Sequence, residues 1–124
     1  MDLVNFLFPR KCLECGSEGK YICNDCYCRV RPCNVVDKNN YSIFKYEGVI
    51  RRAIISLKYK FATDLADELT DVCVQKLSTF HLPRTTVLVP IPLHKQRENW
   101  RGFNQAEIIG ENLAKKMGWK YIPN

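Results

Sequence analysis

Two pairs of cysteines offer the clearest chemistry in this chain. Cys12 and Cys15 enclose two residues, Cys23 and Cys26 enclose two more, and seven residues separate the pairs. A Cys-x-x-Cys pair forms a tight knuckle that aims two thiolates at one ion. Two knuckles complete a tetrahedral shell with Zn–S distances of about 2.3 Å. Gly16, directly after the first pair, suits the turn this requires, and the gap is long enough for a small hairpin. Four thiolates leave no open coordination position, so the expected role of a zinc ion here is structural rather than catalytic. A segment with so few apolar residues would draw much of its folding energy from the metal. Redox chemistry, an iron–sulfur site or a degenerate module are the alternatives. Haem attachment is disfavoured because neither pair is followed by histidine. Cys28 and Cys33 are spare, and Cys73 falls on a helical apolar stripe, where it reads as core.

A second stretch, VPIPLHKQRENWRGFNQ from Val89 to Gln105, passes from an apolar run through two prolines into a basic loop and then a helix start. As a surface connection, its charges would serve solubility. As an anion receptor, it would stand at the carboxyl edge of a parallel sheet, beside a helix N-terminus with free N–H groups and the positive end of its dipole. Lys95, Arg97 and Arg101 would then supply charge, and Gly102 would let the backbone approach phosphate oxygens. Physical chemistry alone leaves both readings open. Trp100 and Phe103 could anchor the loop or stack on a base. His94 could touch a phosphate but is mostly neutral at pH 7, and His81 reads as a helix-end cap.

The elements that would position these groups are set by periodicity. Residues 2–8 read as a turn of helix packing on the cysteine-rich segment after it. YSIFKYEG, 41–48, reads as a strand. In 49–59, Ile50, Ile54 and Leu57 share a stripe with Arg51, Arg52 and Lys58 mostly off it, giving a basic amphipathic helix. A second helix spans Thr63 to Phe80, capped by Thr63 or Asp64. Thr85–Val89 reads as a strand buried on both faces. Asn104 caps a helix that runs to Met117 and ends at Gly118, with Ala106 and Gly110 on its inward stripe for close approach to a sheet. WKYIP, 119–123, reads as the next strand. The fold class is therefore α/β: a small zinc-ribbon-like Cys-rich module over 1–40, followed by an α/β domain over 41–124.

Composition agrees with a folded chain, 46% hydrophobic and 26% charged, which argues against disorder. Nineteen Lys and Arg against thirteen Asp and Glu give +6, which favours an anionic partner without naming it. MDLVNFLF begins with an acidic residue and a short apolar stretch, unlike a signal peptide. No run approaches the roughly 20 apolar residues needed to span a bilayer, so no membrane insertion is expected. Clustered cysteines without a leader suggest a reducing, cytoplasmic setting.

LFPRKCLECG, YEGVIRRAIISLKYK and VPIPLHKQRENWRGFNQAEIIGENLA, in this order, resemble the ComF family. That family joins a zinc-ribbon-like module to a type I phosphoribosyltransferase domain of Rossmann-like fold and is linked to DNA uptake in competent bacteria. The resemblance implies that Arg97, Arg101, Gly102, Asn104 and Gln105 belong to a diphosphate-binding loop, with Lys95 alongside. Lys58-Tyr59-Lys60 would be the basic end of the preceding helix. It also implies phosphoribosyl diphosphate as ligand, with Mg²⁺ if the complete domain exists; single-stranded DNA or competence proteins are candidate further partners. The family's strand ending in two acidic residues, followed by Thr-Thr-Gly, has no counterpart in these 124 residues. The transferase domain is therefore expected to be incomplete and inactive alone, the sequence being the N-terminal portion of a longer product. The alternative is a zinc-ribbon module that binds nucleic acid or a partner without catalysis, through Arg29, Arg31, Arg51, Arg52, Lys58 and Lys60 with Tyr27, Tyr46 and Tyr59.

Overall fold

The computed structural model describes residues 3–33, 37–59 and 63–123, with the side chains of Asn5 and Thr63 left aside. Lys60 and the capping side chain of Thr63 therefore lie outside the described residues. The chain divides into two compact units, Met1–Ser56 and Leu57–Asn124. Among the described residues, no helix is long and apolar enough to cross a membrane.

In the first unit, α1 (Leu3–Leu7) precedes a tight turn in which Lys11 and Glu18 face each other across an antiparallel bridge. The Cys12 N–H donates to the Ser17 carbonyl and the Gly19 N–H to that of Arg10, both at 2.8 Å. Helix α2 (Asn24–Arg29) comes next, and then α3 (Gly48–Tyr59), which runs on across the division between units. Of the expected stripe, Ile50 and Leu57 are buried and Ile54 is half-buried; Val49 and Ala53 are buried as well, and Arg51 and Arg52 are exposed as expected.

Two expectations fail in this unit. Residues 41–48 make no regular strand; Phe44 bridges Pro32, and Gly48 already belongs to α3. The Cys33 N–H donates to the Ile43 carbonyl and the Lys45 N–H to that of Arg31, both at 3.2 Å, but the ladder stops there because the Arg31 N–H is taken by Glu47 Oε1 at 3.1 Å. Helix α1 also does not pack as expected: Leu3, Val4, Phe6, Leu7 and Phe8 are 59–76% exposed. Five residues make little more than one turn, so its side chains fan around the axis instead of lining one face.

The second unit rests on α4 (Thr63–Leu77), extended by a 3-10 turn at Ser78–Phe80, and on α6 (Gln105–Met117). Leu65, Ala66, Leu69 and Thr70 of α4 are buried, as is Ala114 of α6. Strands β1 (Val87–Leu88) and β2 (Lys120–Tyr121) pair in parallel, Val87 opposite Lys120 and Leu88 opposite Tyr121. A Cβ added at Gly110 would lie 2.8 Å from Leu88 Cδ2 and 3.3 Å from Tyr121 Cε2. The small residue thus sets how closely α6 approaches the sheet.

Strand β1 is not buried on both faces. Side chains alternate along a strand; Leu88 faces α6, while Val87 and Val89 remain 48% and 56% exposed. The basic loop is likewise only partly a loop, because Lys95–Arg101 forms helix α5. His94 caps it, its Nδ1 accepting from the Gln96 N–H at 3.3 Å, and Gly102 ends it at φ 77°. The observed architecture is mixed and helix-rich, with a two-stranded parallel sheet and a four-cysteine cluster.

Candidate metal centre

The first knuckle is closed by the Gly16 N–H donating to the Cys12 carbonyl at 3.0 Å, with Gly16 at φ 78°. Left-handed backbone of this kind carries little steric cost for glycine. Arg52, from α3, donates Nη1 to the Leu13 carbonyl at 3.2 Å and so braces the knuckle. The second knuckle is built on a helix start. Cys23 is the N-cap of α2, and its Sγ accepts from the Cys26 N–H at 3.4 Å. Asp25 in the first turn complements the helix dipole.

These turns bring the sulfurs of Cys12, Cys15, Cys23 and Cys26 within 4.8 Å of one another. Four sulfurs about 2.3 Å from a central ion stand about 3.8 Å apart at tetrahedral angles. Cys15 Sγ and Cys23 Sγ are 3.7 Å apart, near that edge length and far from the roughly 2.05 Å of a disulfide. All four cysteines are free thiols. Cys26 is 0% and Cys12 4% exposed, while Cys15 is exposed and Cys23 half-buried. One side of the cluster is therefore sealed and the other open.

The thiols do not share one acidity. Burial pushes Cys12 up, but N–H groups of Cys15, Cys23 and Glu14, together with the Cys23 side chain, outweigh it and bring the thiol down to about 6. Cys15 is lowered mainly by the Ser17 hydroxyl, 3.2 Å from its sulfur. Cys26 is raised, first by burial and then by the neighbouring sulfurs of Cys23, Cys15 and Cys12. Crowded sulfurs that oppose one another's ionisation are the arrangement a dication reverses, because a coordinated thiol is deprotonated outright. Residues, spacing and charge thus fit a four-thiolate zinc ion.

Cys28 and Cys33 are outside this cluster, the first exposed and the second half-buried. Burial pushes the Cys73 thiol up to about 11, consistent with an inert packing residue. Sequence reasoning missed Ser17 as a partner of Cys15, and it missed α2, although Asn24 and Asp25 after Cys23 carried a helix-start signal.

The basic stretch is organised around the start of α6. Asn104 is 4% exposed and caps the helix, its Oδ1 accepting from the Ala106 N–H at 3.0 Å. Its Nδ2 donates to the Ile91 carbonyl at 3.2 Å, which fixes the α6 N-terminus just beyond the carboxyl end of β1. Arg101 ends α5 and donates Nη1 to Gln105 Oε1 at 3.0 Å, while its Nε is buried without a protein acceptor. Lys95 and Arg97 are exposed on α5. Lys58 lies in the last turn of α3, beside Tyr59, whose ring meets Trp100 of α5 edge-on at 6.1 Å.

Over 107 residues the chain is 30% identical to the competence protein ComFC of Bacillus subtilis (strain 168), a match covering 82% of this chain and 44% of that protein. Over most of its length the chain resembles the ComF family. It spans less than half the length of that ComF relative. No family model matches the chain, and no solved structure matches it significantly.

Proposed function

We propose that this ComF-type chain holds one structural zinc on Cys12, Cys15, Cys23 and Cys26 and receives a diphosphate at the β1–α5–α6 junction. The observation that carries the second part is Asn104, which caps α6 while tying it to Ile91 just past β1. That position faces N–H groups and the positive end of a thirteen-residue helix toward one spot. Arg101 stands beside it with a buried Nε–H in need of an acceptor; Lys95, Arg97 and Lys58 add charge, and Gly102 offers exposed backbone. By family, the ligand is phosphoribosyl diphosphate, with Mg²⁺ neutralising its diphosphate. Competence, named for the Bacillus relative, is the cellular setting we assign, with the protein in the reducing cytoplasm.

The domain is a type I phosphoribosyltransferase of which these residues supply the diphosphate side only. The acidic pair and Thr-Thr-Gly turn that would grip the ribose phosphate are not in the 124 residues, so this polypeptide alone does not transfer the sugar. Calorimetry with pyrophosphate and Mg²⁺ tests the receptor. Replacing Arg101 with Gln removes a charge-assisted contact worth about 1.5–3 kcal/mol, so affinity should fall roughly ten- to a hundredfold. Equal binding by wild type and variant would remove the receptor from the reading. Pyrophosphate release from phosphoribosyl diphosphate should stay at background.

A second reading, a module that binds single-stranded DNA, gains support from exposed Tyr46 with the Arg51 guanidinium 5.8 Å from its ring centre. Arg31 and Arg52, by contrast, are engaged by Glu47 and the Leu13 carbonyl. Binding that weakens steeply with salt and is lost on Tyr46→Ala would favour it.

A further inference from the structure

The four sulfurs are not equivalent, and the asymmetry has a chemical consequence. Cys12 and Cys26 are sealed, whereas Cys15 is exposed and Cys23 half-exposed. The two accessible sulfurs come from different knuckles, stand 3.7 Å apart, and have the Ser17 hydroxyl 3.2 Å from Cys15. We propose that Cys15 and Cys23 form a peroxide-sensitive pair, whose oxidation to a disulfide releases the zinc and unfolds the cluster. This rests on the zinc reading above.

The chemistry balances with a peroxide as oxidant. The Cys15 thiolate attacks one peroxide oxygen, breaking the O–O bond and giving a sulfenic acid and hydroxide. The Cys23 thiolate then attacks that sulfur, forming the S–S bond and expelling a second hydroxide. Two electrons pass from the thiolates to the peroxide, and two protons from solvent turn the hydroxides into water. Closing the sulfurs from 3.7 Å to about 2.05 Å takes two ligands from the zinc, and the remaining pair binds it far more weakly. An inter-knuckle disulfide is specific to this geometry. Bridging within a knuckle would have to use a sealed sulfur, Cys12 or Cys26.

The test uses the whole chain, purified anaerobically and assayed for zinc. It is then titrated with hydrogen peroxide while released zinc is read with a chromogenic chelator and disulfides are mapped by peptide mass spectrometry. The expected result is one zinc released for every two thiols lost, a Cys15–Cys23 disulfide as the first bridge, and recovery with dithiothreitol and added zinc. The variant Cys28→Ser, which removes the exposed neighbour on α2, should behave identically. A first bridge within a knuckle or to Cys28, or zinc retained while Cys28 or Cys33 is oxidised, overturns this inference and leaves the zinc reading standing. A chain purified free of zinc overturns both.

Discussion

Between Arg10 and Val30 the chain converges on four sulfurs, whereas between Leu57 and Tyr121 it converges on aliphatic side chains. In the first stretch the deeply buried residues are Cys12, Ile22 and Cys26, two of them metal-ligand candidates. In the second, Leu57, Leu65, Ala66, Leu69 and Ala114 are buried, and Gly110 brings α6 against Leu88 and Tyr121. Little apolar burial accompanies these cysteines, so on the zinc reading proposed above the order of this stretch draws on the metal. The other region is held by ordinary helix–helix and helix–sheet burial, at about 25 cal/mol per Å² of apolar surface. Damage to each should therefore look different: all-or-none in one, graded in the other.

The largest effect should come from removal of the metal. Structural zinc contributes roughly 10–16 kcal/mol of apparent binding energy in small modules at neutral pH, which exceeds what this segment could replace by packing. Cys26→Ala, or a strong chelator, should abolish amide-exchange protection across residues 10–30 and leave protection in α6 unchanged. Retained protection in 10–30 after complete zinc removal would erase the distinction between the regions.

Graded damage to the second unit should leave zinc content intact. Gly110→Val places side-chain atoms where even a Cβ lies 2.8 Å from Leu88 Cδ2, and overpacking of this kind costs about 1–3 kcal/mol. Asn104→Ala removes a helix cap and the tether to Ile91, at about 0.5–2 kcal/mol. It should also weaken pyrophosphate binding, because the α6 N-terminus is no longer held in place. Denaturant melts followed by α6 exchange, with zinc assayed in parallel, check both variants.

What could be read from sequence differs between the regions for the same physical reason. The cluster was legible because the spacing of Cys12, Cys15, Cys23 and Cys26 is itself the chemistry. The helices α3, α4 and α6 were legible because their stripes repeat at helical period and their ends carry Asn104, Gly118 and similar signals. Helix α2 was hidden because its N-cap is a cysteine whose metal role drew attention from its cap role. Helix α5 was hidden because two prolines and dense charge precede and fill it, although Gly102 marked its end. Aromatic richness over 41–48 suggested a strand, but the pairing with 31–33 ends after one bridge, because the Arg31 N–H that would extend it binds the Glu47 carboxylate instead. The roles of Arg31 and Arg52 could not be read locally, since their partners lie 16 and 39 residues away.

The smallest effects lie in the ion pairs, and only one of them can be read cleanly by pH. In the first unit, Arg31 holds the Glu47 carboxylate down at about 2 against an ordinary 4.5, through its side chain first and its N–H second. A depressed carboxyl stabilises above its ordinary value and loses that contribution as pH falls toward 2. In that window the thiolates are already protonated and the zinc has left, so the pair's acid limb is masked by loss of the metal. In the second unit, burial lowers Lys116, but Asp67 and Asp71 of α4 outweigh it and raise the ammonium above its ordinary 10.5. A raised lysine contributes fully below 10.5 and loses the contribution as pH climbs through its higher folded value. Both aspartates are more than half exposed, so screening limits the contribution to at most about 1 kcal/mol. Lys116→Met should lower stability by that amount at pH 8 and shed its deficit only at strongly alkaline pH. A deficit that persists unchanged there would assign the effect to the packing of the lysine stem between α4 and α6 rather than to its charge.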